Sequence, residues 1–298
     1  SVFDSENDES DIDSDNESID DNTNNSDSEL VQTEKRCVSK NNSGWEWLPK
    51  ENEPIIHNFV GGHGVSQEIS VKYQNEPPSE LSIFLEYMDP LFETIARETN
   101  DYARRQLADP NRKNRTDDVR WFETNEDEIK AYFALCIIMS QVRKRQIQLY
   151  WTKDKCVETP IFRKTMSRKR FLLLSRYLHF ADDTLLEPSD KLKKIRPIIS
   201  HFSDRFSKLY SLSEDIALDE SLMKFRGRLA YVQCNRSKRA RFGIKIYKIC
   251  DSNNGYCHSF RIYTGDDIID PALPASSNVV MHMCDPLFNK GHTLYIDN

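Results

Sequence analysis

Asp215-Ile216-Ala217-Leu218-Asp219-Glu220-Ser221-Leu222-Met223 decides the fold. An apolar run of strand length ends there on a carboxylate, and Leu294-Tyr295-Ile296-Asp297-Asn298 repeats the arrangement. An acid at the mouth of a buried strand is the usual way to build a metal site. For either Asp alone, an ordinary strand-end acid facing solvent is the simpler reading.

The elements between the two acids argue for pairing them. Residues 243–250 alternate apolar and basic with the two-residue period of a half-exposed strand, and 256–264 follow as a second. Asp251-Ser252-Asn253-Asn254-Gly255 joins them, with Asn and Gly to supply the positive-φ positions of a hairpin. Ser276 or Ser277 is expected to cap a helix carrying Val279, Val280, Met283 and Leu287 on one side and stopping near Gly291. Residues 292–297 close the pattern as a strand. The order is strand, strand, strand, helix, strand. If the fourth strand lies parallel beside the first, Asp219 and Asp297 meet at one sheet edge, as in ribonuclease-H-like nucleases and transposases. Glu220, next along the strand, then points to the opposite face and is not expected to be a ligand.

Composition bounds the rest. The 298 residues have room for two domains, and 38% hydrophobic residues suffice for a core in most of the chain. Residues 1–34 hold thirteen of the 48 acids and no Lys or Arg, so residues 35–298 carry 35 acids against all 41 bases. The first stretch cannot bury enough apolar surface to offset its ordering entropy, which predicts a disordered acidic tail over 1–36. The part expected to fold is basic despite the acidic total. Serines before acids, as at Ser26-Asp27-Ser28-Glu29, suit an acid-directed kinase, although a plain solvating tail is the simpler reading.

Seven cysteines, an odd number without paired spacing, point to a reducing compartment, with Cys136 and Cys250 as small core residues. Cys250, Cys257 and His258 lack the fourth ligand of a zinc site. No apolar run is long enough to cross a bilayer, so no membrane partner is expected. The first residue is Ser rather than Met, which suggests a fragment or processed product.

In chain order, residues 37–78 read as an extended arm and 79–212 as helical. Pro90 suits the first turn of a helix with Leu91, Ile95, Glu98 and Tyr102 at helical spacing. Thr124 is expected to cap the next, whose stripe is Ile129, Phe133, Cys136 and Ile137. Further helices are expected at 160–166, 167–180 and 190–210, and 213–298 forms the strand-rich part. Six bases fall within 163–176, and nine within 224–248 without one acid, and the two segments are expected to form a DNA-contacting surface. A charge run is usually a solvated face. This second run begins five residues after Asp219, where bases would offset carboxylate repulsion of a phosphodiester and grip its backbone. Tyr231 and Phe242 have rings that stack on bases or pack beneath the loop.

Glu98-Thr99-Asn100-Asp101-Tyr102-Ala103, Arg176-Tyr177-Leu178-His179-Phe180, Leu218-Asp219-Glu220-Ser221-Leu222-Met223, Phe225-Arg226-Gly227-Arg228, Arg241-Phe242-Gly243-Ile244-Lys245 and Ile296-Asp297-Asn298 follow one another in a characteristic order. In this set the chain resembles piggyBac transposases and their domesticated derivatives across about residues 55–298. The resemblance implies an α+β chain: a mostly helical domain over 79–212 used for dimerisation or DNA binding, then an incomplete ribonuclease-H-like (βββαβ) catalytic core over 213–298. It implies cut-and-paste DNA transposition as the family activity. Asp219 and Asp297 match two catalytic, metal-binding acids, and Mg²⁺ or Mn²⁺ is the cofactor. By the same resemblance, two such ions would supply activation of a water or 3′-hydroxyl and stabilisation of the leaving oxygen, Asp219 would hold both and Asp297 would complete one side. Arg226, Arg228, Arg236, Lys238, Arg239, Arg241 and Lys245 are the expected contacts to double-stranded DNA. A nuclear location is implied, and a homodimer is allowed.

The family's further catalytic Asp and its Cys/His-rich module would follow Asn298. The 298 residues are therefore expected to be a truncated copy that holds metal weakly and does not cleave DNA. If cleavage occurs, Asp266, Asp267 or Asp270 becomes the candidate third ligand. A domesticated, non-catalytic DNA- or chromatin-binding protein is the alternative, and a protein-interaction scaffold using the helical region and acidic tail a further one.

Overall fold

The computed structural model describes residues 55–111, 118–182, 184, 187–234, 242–265, 270 and 273–297. The expected acidic tail, the arm before Ile55, and Arg236, Lys238, Arg239, Arg241, Asp266 and Asp267 lie outside the described residues. No helix among the described residues is long and apolar enough to cross a membrane.

The arm is only partly extended. It holds a short strand β1 (Gly64–Val65) and a one-and-a-half-turn helix α1 (Gln67–Lys72). The long helix α2 spans Glu80–Ala108, and Ser79 caps it by accepting the Ser82 N–H at 3.1 Å. Pro90 therefore lies inside a helix and not at its first turn. Without an N–H it leaves the Glu86 carbonyl lacking its helical donor. Arg205 Nε donates to that carbonyl at 2.9 Å, and His201 Nε2 meets the neighbouring Tyr87 carbonyl at 2.7 Å. A later helix, through Arg205, thus supplies the donor that lets the pattern run through the proline.

Helix α3 (Glu126–Gln141) is capped one residue later than expected, by Asn125, which accepts the Glu128 N–H at 2.9 Å. Thr124 is occupied elsewhere: its backbone exchanges two 2.8 Å hydrogen bonds with the Asn100 side chain, and its hydroxyl donates to the Glu128 carboxylate at 2.7 Å. Ile137 is half exposed, so the buried stripe runs through Ile129, Tyr132 and Leu135. Helices α4 (Pro160–Thr165), α5 (Arg168–Tyr177) and α6 (Arg196–Leu209) follow. Phe92, Ile95, Ile129, Leu135, Phe162, Phe171 and Leu174 form the centre of the helical core, none more than 1% exposed.

Strand β2 (Tyr210–Ser211) pairs with β1. The main sheet consists of β3 (Asp215–Lys224), β4 (Gln233–Cys234), β5 (Phe242–Asp251), β6 (Cys257–Ile262) and, after helix α7 (Ala275–Cys284), β7 (Thr293–Ile296). β5 runs antiparallel to β3, and β4 and β6 share its other side. β7 crosses back to lie parallel beside β3, with Leu218 opposite Ile296. Ile216, Leu218 and Ile249 face α7, where Val279, Met283 and Cys284 close a second core. α7 has no side-chain cap from Ser276 or Ser277. Pro274 stands at its start, and Asn278 ties the preceding loop by donating to the carbonyls of Asp270 at 2.8 Å and Leu273 at 2.9 Å.

Gly291 sets the entry to β7. Its φ is +79°, and a Cβ there would stand 2.2 Å from Phe59 N and 2.3 Å from Asn58 C, backbone atoms with no flexible end to yield. Gly291→Ala is expected to lower stability by about 1–3 kcal/mol, the strain of a non-glycine at such a φ. It should also open residues 55–60 to protease. A denaturation midpoint and cleavage pattern equal to wild type would show that this crossing does not constrain the fold.

Candidate functional site

The strand register places the two acids. Asp219 is one residue beyond Leu218 on β3 and Asp297 one beyond Ile296 on β7, and Leu218 and Ile296 are register partners in a parallel pair. Continued one step, the same register sets Asp297 beside Asp219, and both are exposed. Asp219 accepts the Glu220 N–H at 2.6 Å, and Lys248 is its register partner on β5. Glu220 is opposite Tyr247, so it belongs to the other face, as the strand period requires.

A cleft of about 670 Å³ opens at this end of the sheet. Asp219, Asp297, Glu220 and Lys245 line it with residues from the start of α7, Ser276 and Ser277 among them. The Lys245 ammonium lies 4.7 Å from the centre of the Tyr247 ring. Nearby, the Tyr295 hydroxyl donates to Asp215 at 3.2 Å, and that carboxylate's charge, then the hydrogen bond, raises the hydroxyl's pKa. Sequence reasoning counts Lys248 among the bases of 224–248 but does not set it opposite Asp219, a pairing that the β3–β5 register supplies. It takes Ser276 and Ser277 for caps, because Ser before an apolar stripe has the same pattern whether it caps a helix or lines a cleft.

Two oxygen-donor carboxylates side by side suit a hard divalent cation, which commonly takes one or two carboxylates with water and substrate phosphate. Among the described residues, no group of three His, Cys, Asp or Glu is placed to share an ion. Of the expected DNA contacts, Arg226 and Arg228 are exposed in the turn after β3, and Lys245 is half-buried in the cleft.

The basic segment 163–176 is divided by its partners. Arg170 is 6% exposed, and its guanidinium grips Glu128 through Nε at 2.7 Å and Nη2 at 2.5 Å while donating to Phe122 O at 2.9 Å. It lies between the Trp121 and Phe122 rings, 4.8 and 3.6 Å from their centres. Arg176 pairs with Asp118 at 2.7 Å, and Arg163 pairs with Glu158. The expectation that this whole segment faces DNA is corrected for Arg170, which is buried in the helical core. Lys164, Arg168 and Lys169 are exposed.

A sheet in the order β6-β5-β3-β7, with the outer strand parallel to β3, Asp219 midway along β3 and Asp297 just past the end of β7, has the topology of a ribonuclease-H-like core. The family model described as Transposase IS4 matches residues 81–298. The chain is 23% identical over 275 residues to human piggyBac transposable element-derived protein 2, covering 91% of this chain and 43% of that one. Human piggyBac transposable element-derived protein 3 is 30% identical over 139 residues, 46% of this chain and 23% of that one. The cryo-EM structure of a piggyBac transposase synaptic complex with hairpin DNA superposes with a TM-score of 0.61 at 23% identity, over 79% of this chain and 52% of its own. The chain belongs to the piggyBac transposase family. It spans less than half the length of these human relatives.

Proposed function

We propose that this chain is a piggyBac transposable element-derived, DNA-binding transposase-like protein whose acids Asp219 and Asp297 hold a divalent cation, Mg²⁺ or Mn²⁺. The parallel β3–β7 register carries the reading, because it is what brings two acids 78 positions apart to one end of the sheet. A cation bound there would supply positive charge for an in-line displacement at phosphorus. The chain's own residues would bring the phosphodiester to that point: Lys245 in the cleft with the acids, Arg226 and Arg228 from the turn after β3, and Arg236, Lys238, Arg239 and Arg241 from the same basic run. A nuclear location accompanies this reading, as does a homodimer.

Changing Arg236, Lys238, Arg239 and Arg241 together to Gln should weaken duplex binding and flatten the slope of log K against log salt by about 0.9 for each phosphate no longer neutralised. Filter or fluorescence titrations from low to moderate salt measure both. An unchanged affinity and slope would return the run to a solvated face. A second reading, a domesticated protein that binds DNA or chromatin without cleaving it, is favoured by the human relatives, which carry the name of element-derived proteins. Divalent-metal-dependent nicking of duplex DNA, abolished by Asp219→Asn, separates the two.

A further inference from the structure

Cys250 on β5 and Cys257 on β6 are register partners in an antiparallel hairpin, and both thiols are free and part-buried. The Asp251 N–H donates to Tyr256 O at 3.0 Å and the Asp251 carbonyl accepts from the Gly255 N–H at 2.8 Å, so the last hydrogen-bonded position of the hairpin lies just outside the pair. The next rung inward, 250/257, is then of the non-hydrogen-bonded kind, where Cα atoms stand about 4.5 Å apart and side chains lie closest. That separation is within the span of roughly 4.4–6.8 Å that a disulfide bridges. The Cys257 thiol donates to Ser259 O at 3.7 Å, and each thiol lies near enough to influence the other's pKa. His258 is the extra residue of the bulge that follows, since Ile249 pairs with Ser259 while Cys250 pairs with Cys257. Its ring lies near His292 and Lys290, charges that add to burial in lowering its pKa. No third ligand therefore gathers at the thiols among the described residues, and soft-metal binding is not what this pair is built for.

We infer that Cys250 and Cys257 form a reversible dithiol–disulfide site across the β5–β6 hairpin, oxidised by small-molecule disulfides. One thiolate attacks a sulfur of the small disulfide, forming a mixed disulfide and releasing one small thiolate. The partner cysteine, losing its proton, attacks the protein sulfur of that intermediate and expels the second small thiolate. Two protein thiols are oxidised to one disulfide and one small disulfide is reduced to two small thiols. Cys250 is the register partner of Ala217, two residues before Asp219, so the bridge would form on the face that carries the acids. The inference does not depend on metal binding there.

Burial raises both thiols, and burial together with the nearness of Cys250 pushes Cys257 up to about 11. The thiolate is the nucleophile, so oxidation should quicken by about tenfold per pH unit from pH 7 to 9.

The test uses the whole 298-residue protein, folded, with oxidised glutathione, an acid quench, alkylation and tryptic mapping. Residues 249–261, between Lys248 and Arg261, contain both cysteines and no internal Lys or Arg. The expected product is that peptide lighter by two hydrogens and free of glutathione, restored by dithiothreitol. Cys257→Ser should instead leave glutathione trapped on Cys250. Exposed Cys156 reports that the oxidant has acted. Glutathionylated Cys156 beside a 249–261 peptide with two free thiols, or with glutathione on either cysteine of the wild type, overturns the inference. So does a rate flat between pH 7 and 9.

Discussion

Arg170→Ala is expected to lower the unfolding free energy by about 3–5 kcal/mol, the range for removing one partner of a buried ion pair. The substitution strips the Glu128 carboxylate of two donors and the Phe122 carbonyl of one, and it empties the space between two aromatic rings. Glu128 sits in the first turn of α3, where Asn125 holds its N–H and Thr124 donates to its carboxylate, so the damage extends to the helix start. Chemical denaturation measures the loss. Lys169→Ala, one residue away and exposed, should change stability by less than about 0.5 kcal/mol. Equal stabilities of the two variants would mean that Arg170 is another surface base.

The pair also fixes the direction of a pH effect. Burial alone would raise the Glu128 pKa, but hydrogen bonds from Arg170 and Thr124 and the guanidinium's charge bring it below the ordinary carboxylate value. A carboxylate depressed in the folded state stabilises the fold above its unfolded pKa, and that contribution fades as pH falls through the folded value. Wild type and Arg170→Ala should therefore differ most at neutral pH and converge in acid.

The sheet is legible in the sequence because each strand leaves a period-two record and the hairpin carries its turn residues in order. The pairing of β7 with β3 is not a local signal. It follows from the count of elements between two apolar runs that each end on Asp. Pro90 misleads because the donor that compensates for it, on Arg205, lies more than a hundred residues away in sequence. Arg170 misleads for a related reason. A guanidinium between two aromatic rings and a glutamate has the same one-letter code as one gripping phosphate, and only the tertiary structure supplies Trp121, Phe122 and Glu128. Thr124 shows the same limit at short range, since its capping pattern is intact but Asn100 claims its backbone.

Asp219→Asn and Asp297→Asn should each weaken Mn²⁺ binding by at least about tenfold, because each removes one of the two carboxylates brought together by the β3–β7 register. Manganese's effect on water proton relaxation reads the affinity directly, without DNA or activity. Two controls separate the site from general acidity. Glu220→Gln changes an acid that lines the same cleft from the other strand face, and an affinity within about twofold of wild type would show that only Asp219's face holds the ion. Asp215→Asn removes an acid four residues earlier on β3 that is tied to the Tyr295 hydroxyl, and should also leave it unchanged. Lys248, the register partner of Asp219, offsets part of the carboxylates' mutual repulsion when no ion is bound. Lys248→Met should therefore tighten Mn²⁺ binding, since it removes a positive charge that competes with the ion, and the gain should shrink as salt screens the site. If both Asp variants bind Mn²⁺ as wild type does, the acids are strand-end residues facing solvent. The family fold would then stand, and the metal reading of this chain would fall.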